Sequence, residues 1–109
     1  MVFFDDLETR SGDERAAELA DILPSQIARA KALGGYKTTL ADITARDITS
    51  ATALAQLPVL RKSVLSQAQG SASPLGGFST RNVTGFGHIF QSPGPIYEPG
   101  GIEFDWWRM

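Results

Sequence analysis

Apolar positions recur at helical spacing early in the chain and give way to short, separated apolar runs toward its end. Between Ser11 and Leu33 they form one stripe, made of Leu19, Ile22, Leu23, Ile27, Ala30 and Leu33. This period predicts an amphipathic helix. Ser11 and Glu14 form an S-x-x-E capping box at its start, and Gly34-Gly35 follows its end. Pro24 lies inside the pattern, where its missing N–H predicts a kink or a helix–turn–helix break.

Two short helices are predicted in the middle of the chain. Residues 36–49 have the sparse apolar positions of a connector. Ser50 is typical of a helix cap, and the helix that it begins is predicted to extend to Leu57. Ser63 is a second candidate cap, for a helix over residues 64–69.

A strand–loop–strand unit is predicted after a loop rich in glycine and serine. His88–Gln91 and Pro95–Glu98 are compact runs of β-favouring residues, and Ser92–Gly94 joins them. This arrangement predicts a β-hairpin. Pro95 has no N–H to donate to the ladder, so it is expected at a strand start or at a sheet edge.

These elements predict the α+β class. The expected organisation is a helical region over residues 1–70 with a kinked or broken first helix and two short helices, a loop over 71–87 and a strand–loop–strand unit over 88–99. The last residues, 104–109, include Phe104, Trp106, Trp107 and Met109 and predict the start of a helix. A helix needs more than one turn to persist, so this end favours a chain truncated within an element. The alternative is a short tail packed into a groove.

Charge and composition exclude several classes of protein. Ten basic and twelve acidic side chains give a net charge of -2, which argues against a nucleic-acid binder and a polybasic membrane-surface segment. There is no cysteine, so neither a disulfide framework nor a thiolate metal site is expected. The start has no basic flank followed by an apolar run, and no stretch reaches the length of a membrane span. We therefore expect a soluble, cytoplasmic protein.

The charges are unevenly distributed along the chain. From Ile48 to Tyr97 there is no acidic residue, whereas Arg61, Lys62 and Arg81 are present. Such a stretch is compatible with a nearby polyanionic ligand. The alternative is a buried or loop-rich region with few charges of either sign.

No group of residues has the spacing of a catalytic or metal site. His88 is the only histidine, and it has no companion ligands or nucleophile at diagnostic spacing, so a structural role on a strand is expected. Asp5, Asp6 and Glu8 do not form a calcium loop. Gly85-Phe86-Gly87 lacks the rest of a dinucleotide fingerprint. We predict no catalytic residue and no metal ligand.

The segment from Gln91 to Gly100 contains the best candidate for ligand binding. A small loop between two strands, with a hydroxyl and a glycine, can offer backbone N–H groups to a phosphate. Ser92 and Gly94 are the residues predicted to contact it. The two prolines in the loop remove donors, and the loop has no lysine.

Four segments follow one another along the chain in an informative order: Asp6–Arg10 with Asp13–Arg15, then Leu57–Leu65, Pro74–Phe78 and Gln91–Pro99. In this order they resemble the phenylacetate–CoA ligase-like family of AMP-forming acyl-CoA ligases. The first is similar to the opening of these enzymes, the second is similar to their leucine–proline, lysine and short-helix segment, and the third lies where they have a glycine loop. Gln91–Pro99 corresponds in position to their phosphate loop. That loop usually reads serine–serine–glycine–threonine–threonine–glycine–lysine–proline, whereas Pro95–Glu98 replace the threonine pair and the lysine here.

The resemblance implies a two-step reaction in intact relatives. A carboxylate attacks the α-phosphate of ATP, which gives acyl-adenylate and pyrophosphate, and the CoA thiol then displaces AMP. ATP, magnesium and CoA are implied for those enzymes. The expectation for residues 1–109 is a partial amino-terminal region of the adenylate-forming domain that is inactive alone, carries no cofactor and binds ATP poorly or not at all. Its expected partner is the remainder of the ligase or a second copy in a homodimer. The alternative function is a stand-alone interaction or oligomerisation module.

Overall fold

The computed structural model describes residues 2–71 and 74–101, and these residues have an α+β architecture. Its regular elements are the helices α1 (Gly12–Lys31), α2 (Ala51–Leu54) and α3 (Lys62–Gln69) and the antiparallel strands β1 (His88–Ser92) and β2 (Ile96–Gly100). Short 3-10 turns cover Asp6–Thr9, Gly34–Tyr36, Ala45–Asp47, Pro74–Gly77 and Val83–Gly85. The predicted α+β class is confirmed. The helix start predicted over residues 104–109 lies outside the described residues.

The chain divides into two compact units. One is formed within Met1–Ala30 and Asp42–Leu57, and the other within Lys31–Ala41 and Pro58–Met109. The first contains nearly all of α1 together with α2. The second contains α3 and the hairpin, and therefore the whole of the candidate phosphate loop.

The capping box predicted at the start of α1 is confirmed. The carboxylate of Glu14 accepts from the Ser11 N–H at 2.7 Å and from the Ser11 hydroxyl at 2.9 Å. The Ser11 hydroxyl in turn accepts from the N–H of Glu14 at 3.2 Å. Of the two outcomes predicted at Pro24, a kink or a helix–turn–helix break, the break is wrong, because α1 is one continuous helix through that residue. Burial of Leu23 and Ile27 on either side of the proline holds both halves of the helix on the same core.

The core of the first unit joins α1 to the chain segment before α2. Leu23, Ile27 and Ile48 are its buried centre, and partly buried apolar side chains surround them: Leu19, Ile43, Ala45, Ala53 and Leu57. The cap predicted at Ser50 is confirmed, since its Oγ accepts from the N–H of Ala53 at 3.1 Å. The helix that follows is shorter than predicted and ends at Leu54, after which the chain continues in turns to Leu57.

In the second unit, the glycine loop contacts the segment before the connector. Gly76 and Gly77 both have positive φ, 67° and 78°, which suits residues without a Cβ. At Gly35 a Cβ would lie 2.7 Å from ring carbons of Phe78, so only glycine fits against that ring. The same ring meets Tyr36 edge-on, with 4.9 Å between ring centroids. This close approach fixes the chain that leads from the glycine loop toward the hairpin.

Helix α3 begins two residues earlier than the sequence predicts. Its N-cap is Arg61, whose side chain makes no capping hydrogen bond, and Lys62 is its first residue. The prediction that Ser63 caps this helix is therefore wrong. The correction matters for the site, because it places Lys62 on the helix, in register with Ser66 and Gln69.

The hairpin predicted from the sequence is confirmed. Ser92 pairs with Ile96 and Phe90 with Glu98, so the second strand begins at Ile96 and not at Pro95 as predicted. Pro95 lies in the connecting loop, whereas Pro99 is in β2 opposite Ile89. A proline is tolerated there because its missing N–H falls on the edge of β2 that β1 does not cover.

Candidate phosphate-binding hairpin

The loop between β1 and β2 has three residues, with a glycine at its centre. Gly94 has a φ of 90°, in a region that side chains disfavour. Pro93 before it and Pro95 after it fix the neighbouring φ angles. A Pro-Gly pair is typical of the central positions of a type II turn. The sequence therefore predefines a tight, exposed loop with little conformational freedom.

Helix α3 holds this loop and the strand after it through three side chains on one face. Ser66 donates from its hydroxyl to the carbonyl oxygen of Pro95 at 3.4 Å. Gln69 donates from Nε2 to the Tyr97 carbonyl at 2.9 Å and accepts the Tyr97 N–H at 2.7 Å. The third side chain, that of Lys62, donates to the carbonyl oxygen of Pro93, nearer the tip of the loop.

The spacing of these contacts follows from the geometry of a helix lying beside an extended chain. Their helix positions are i, i+4 and i+7, and their partners are alternate residues: Pro93, Pro95 and Tyr97. Three or four helical residues advance about 4.5–6 Å, and two extended residues advance about 6.6 Å. The two repeats match closely enough for each turn of α3 to reach the next available backbone group.

Lys62 is the basic residue at the loop. Its ammonium group donates to the carbonyl oxygen of Pro93. A Cβ at Gly94 would lie 3.5 Å from both Cε and Nζ of this lysine. The positive charge therefore lies against the backbone of the candidate phosphate loop, although it comes from an element 31 residues earlier in the chain.

Ser92, the last residue of β1, is placed differently from Gly94. Within the described residues, its Oγ is the one buried side-chain polar atom of a non-exposed residue that has no hydrogen-bond partner. A buried hydroxyl without a partner costs about 1–3 kcal/mol. Because this oxygen is covered, it reaches a ligand only after its χ1 angle or the loop changes. The structure thus places Gly94 beside a cation and leaves the buried Ser92 hydroxyl without a hydrogen-bond partner.

His88 lies at the end of β1 that is farther from the loop. The histidine is at the start of β1 and stacks on Phe90, with 5.7 Å between ring centroids. Magnesium, which the resemblance implies for intact relatives, prefers carboxylate and phosphate oxygens. Residues 2–71 and 74–101 bring together no group of three or more histidine, aspartate or glutamate side chains.

The structure adds one residue to the predicted site. The sequence pattern selects Ser92 and Gly94, and the loop itself has no lysine. Lys62 lies in the segment whose resemblance to a leucine–proline and lysine region is noted above, and it is the single lysine in the stretch without acidic residues. Only the packing of α3 along the hairpin shows that this lysine reaches the loop.

Comparison of the chain with protein-family models, with curated proteins and with solved structures gives no significant match. No helix in the described part of the chain has the length and apolar character needed to cross a bilayer.

Proposed function

We propose that this chain is the amino-terminal region of a phenylacetate–CoA ligase-like enzyme, and that its hairpin loop binds phosphate groups of the nucleotide. The observation that carries the proposal is the loop centred on Gly94, which has positive φ and is tied to α3. Such a loop lets a ligand approach the backbone closely and keeps its shape before the ligand arrives.

The order of motifs supports the same assignment. The segment that resembles the family's leucine–proline and lysine region forms the start of α3. The glycine loop at Pro74–Gly77 packs against the same helix, and the hairpin follows at the position of the family's phosphate loop. In adenylate formation, negative charge accumulates on the departing pyrophosphate, and fixed donors near that charge lower the barrier.

Phosphate binding by the loop is tested by NMR titration of the 109-residue chain. The probes are sodium tripolyphosphate, ATP, AMP and adenosine, followed through the backbone amides of Ser92 and Gly94. We expect millimolar binding by the compounds with three phosphates, weaker binding by AMP and none by adenosine, since the proposed contact is to phosphate alone.

A suitable internal control is Arg46, in the other unit. Its side chain is 89% exposed, so it reports general attraction of anions to surface charge. If Arg46 responds to tripolyphosphate as strongly as Gly94 does, the binding is not specific to the loop. If neither Gly94 nor Ser92 responds, or if adenosine and ATP act alike, the proposed function fails.

Catalysis gives a second test. The chain alone is expected to show no acid-dependent exchange between ATP and pyrophosphate, because the acyl- and adenine-binding segments implied by the resemblance are not among its motifs. Robust exchange by the 109-residue chain would show that these residues suffice for adenylation and would overturn that expectation.

A second function, self-association or binding of a partner protein, is favoured by exposed apolar side chains in the first unit. Phe4, Leu7 and Ile22 are 63%, 52% and 58% exposed. Sedimentation velocity at rising protein concentration tests this. Self-association that Leu7→Ser and Ile22→Ser reduce supports an interaction module, whereas a monomer at all concentrations counts against self-association.

A further inference from the structure

Lys62 retains unused hydrogen-bonding capacity at the hairpin loop. An ammonium group has three N–H donors, and the Pro93 carbonyl occupies one of them. A carbonyl oxygen carries only a partial negative charge, so this bond orients the ammonium group without neutralising it. The loop backbone thus holds a full positive charge close to Gly94, the residue at which a ligand can come nearest to the main chain.

No carboxylate competes for this charge among the residues that the structure describes. The ion pairs found there are Arg10–Glu18 and Arg46–Asp47, and neither involves Lys62. The chain has no acidic residue from Ile48 to Tyr97, and Glu98 in β2, the next one along the chain, forms no ion pair with Lys62. An ammonium group in this state favours an anionic ligand.

We propose that Lys62 supplies the cation of the phosphate-binding loop. This inference rests on the proposed function, and it names the residue that replaces the lysine which relatives carry inside the loop. Its two remaining N–H donors face a phosphate bound at Gly94, and the bond to Pro93 keeps the side chain extended toward that position. The charge therefore comes from α3, while Pro95–Glu98 occupy the place of the missing lysine.

The test is tripolyphosphate binding by the whole chain and three variants, measured by NMR titration at constant ionic strength. Lys62→Gln keeps a neutral donor for the Pro93 carbonyl but removes the charge. Lys62→Arg keeps both the charge and the donors. Arg61→Gln is the matched control, because it removes a neighbouring exposed charge that has no hydrogen bond to the loop.

We expect Lys62→Gln to weaken binding roughly tenfold, since charge-assisted hydrogen bonds to phosphate are about twice as strong as neutral ones. Lys62→Arg should stay within about threefold of the original chain, and Arg61→Gln should change binding little. Equal losses in Lys62→Gln and Arg61→Gln would show that only net charge matters and would overturn the proposal.

A measurement on the unsubstituted sequence keeps the test valid if Lys62→Gln disturbs the hairpin. The chain has three lysines, and biosynthetic labelling with ¹³C,¹⁵N-lysine makes the side chain of each observable without removing any N–H donor. Lys31 is an internal control, because its ammonium group also bonds to a backbone carbonyl, that of Ala41 at 3.4 Å. Tripolyphosphate should shift the ¹³Cε and ¹⁵Nζ signals of Lys62 and leave those of Lys31 in place.

The outcomes separate this inference from the proposed function. If Gly94 responds to tripolyphosphate while the side-chain signals of Lys62 do not, and Lys62→Gln binds as tightly as the original chain, the loop binds phosphate without Lys62. The inference then fails and the proposed function stands. If Gly94 does not respond in the original chain, both fail.

Discussion

The attachment of the hairpin to α3 is most directly tested at Gln69. Its side-chain amide donates to the Tyr97 carbonyl at 2.9 Å and accepts the Tyr97 N–H at 2.7 Å. In this way one side chain completes the open edge of β2 as a neighbouring strand would. Gln69→Ala removes both bonds. Each is worth about 0.5–1.5 kcal/mol net, so the docked hairpin should lose about 1–3 kcal/mol.

Amide hydrogen exchange at Tyr97 measures this loss locally. A destabilisation of about 1–3 kcal/mol corresponds to exchange roughly 5- to 150-fold faster, if the amide exchanges through undocking of the hairpin. Gln67→Ala is the matched control, because Gln67 is an exposed glutamine of the same helix with no hydrogen bond to the hairpin. It should leave the exchange rate of Tyr97 nearly unchanged.

Gln69→Glu gives a sharper form of the same experiment. At neutral pH the carboxylate still accepts the Tyr97 N–H, but its second oxygen faces the Tyr97 carbonyl and repels it. This variant should be docked more weakly than Gln69→Ala at pH 7. It should recover on acidification, because a protonated carboxyl group again has one donor and one acceptor. Slow exchange at Tyr97 in both variants at pH 7 would refute the edge-completing role of Gln69.

Three further predictions concern the first unit. Hydrogen bonds from the Ser11 backbone and hydroxyl lower the pKa of Glu14 below its ordinary value. The capping box is therefore formed at neutral pH and is lost as the pH falls through that lowered pKa. The NMR chemical shift of the Ser11 amide should follow this titration. Glu14→Gln should abolish the pH dependence of that shift. In chemical denaturation, Ile27→Ala should lower the free energy of unfolding by about 2–5 kcal/mol. Ile22→Ala, at an exposed position, should change it by no more than about 0.5 kcal/mol. Ser50→Ala should cost about 1 kcal/mol in the same assay through loss of the Ala53 contact.

Features set by neighbouring residues were predictable from the sequence. The capping box of Ser11 with Glu14 and the cap at Ser50 depend on atoms three residues apart, and both form as expected. The hairpin is also local, since its strands are joined by a loop of three residues. The pattern of β-favouring residues and the Pro-Gly turn were sufficient to predict it.

Predictions failed where packing outweighed local preference. Pro24 weakens a helix locally, yet burial of Leu23 and Ile27 keeps α1 continuous. Ser63 is a better cap than Arg61 by residue type, but α3 starts at Lys62, whose side chain reaches the loop. That contact spans 31 residues, and no local pattern encodes which helix face will meet a distant hairpin.

Under the proposed function, supply of the positive charge by Lys62 has a physical consequence for the loop itself. With the charge supplied from α3, the loop no longer needs a residue that points its own side chain at the phosphate. Its positions are then open to Pro93 and Pro95, which remove two backbone donors but restrict the unfolded chain and fix the turn. A rigid loop, whose Pro93 carbonyl holds the Lys62 ammonium group, then takes the place of a flexible loop with many N–H donors. Under the proposed function, binding by this site should therefore depend on one cation more than on several N–H groups.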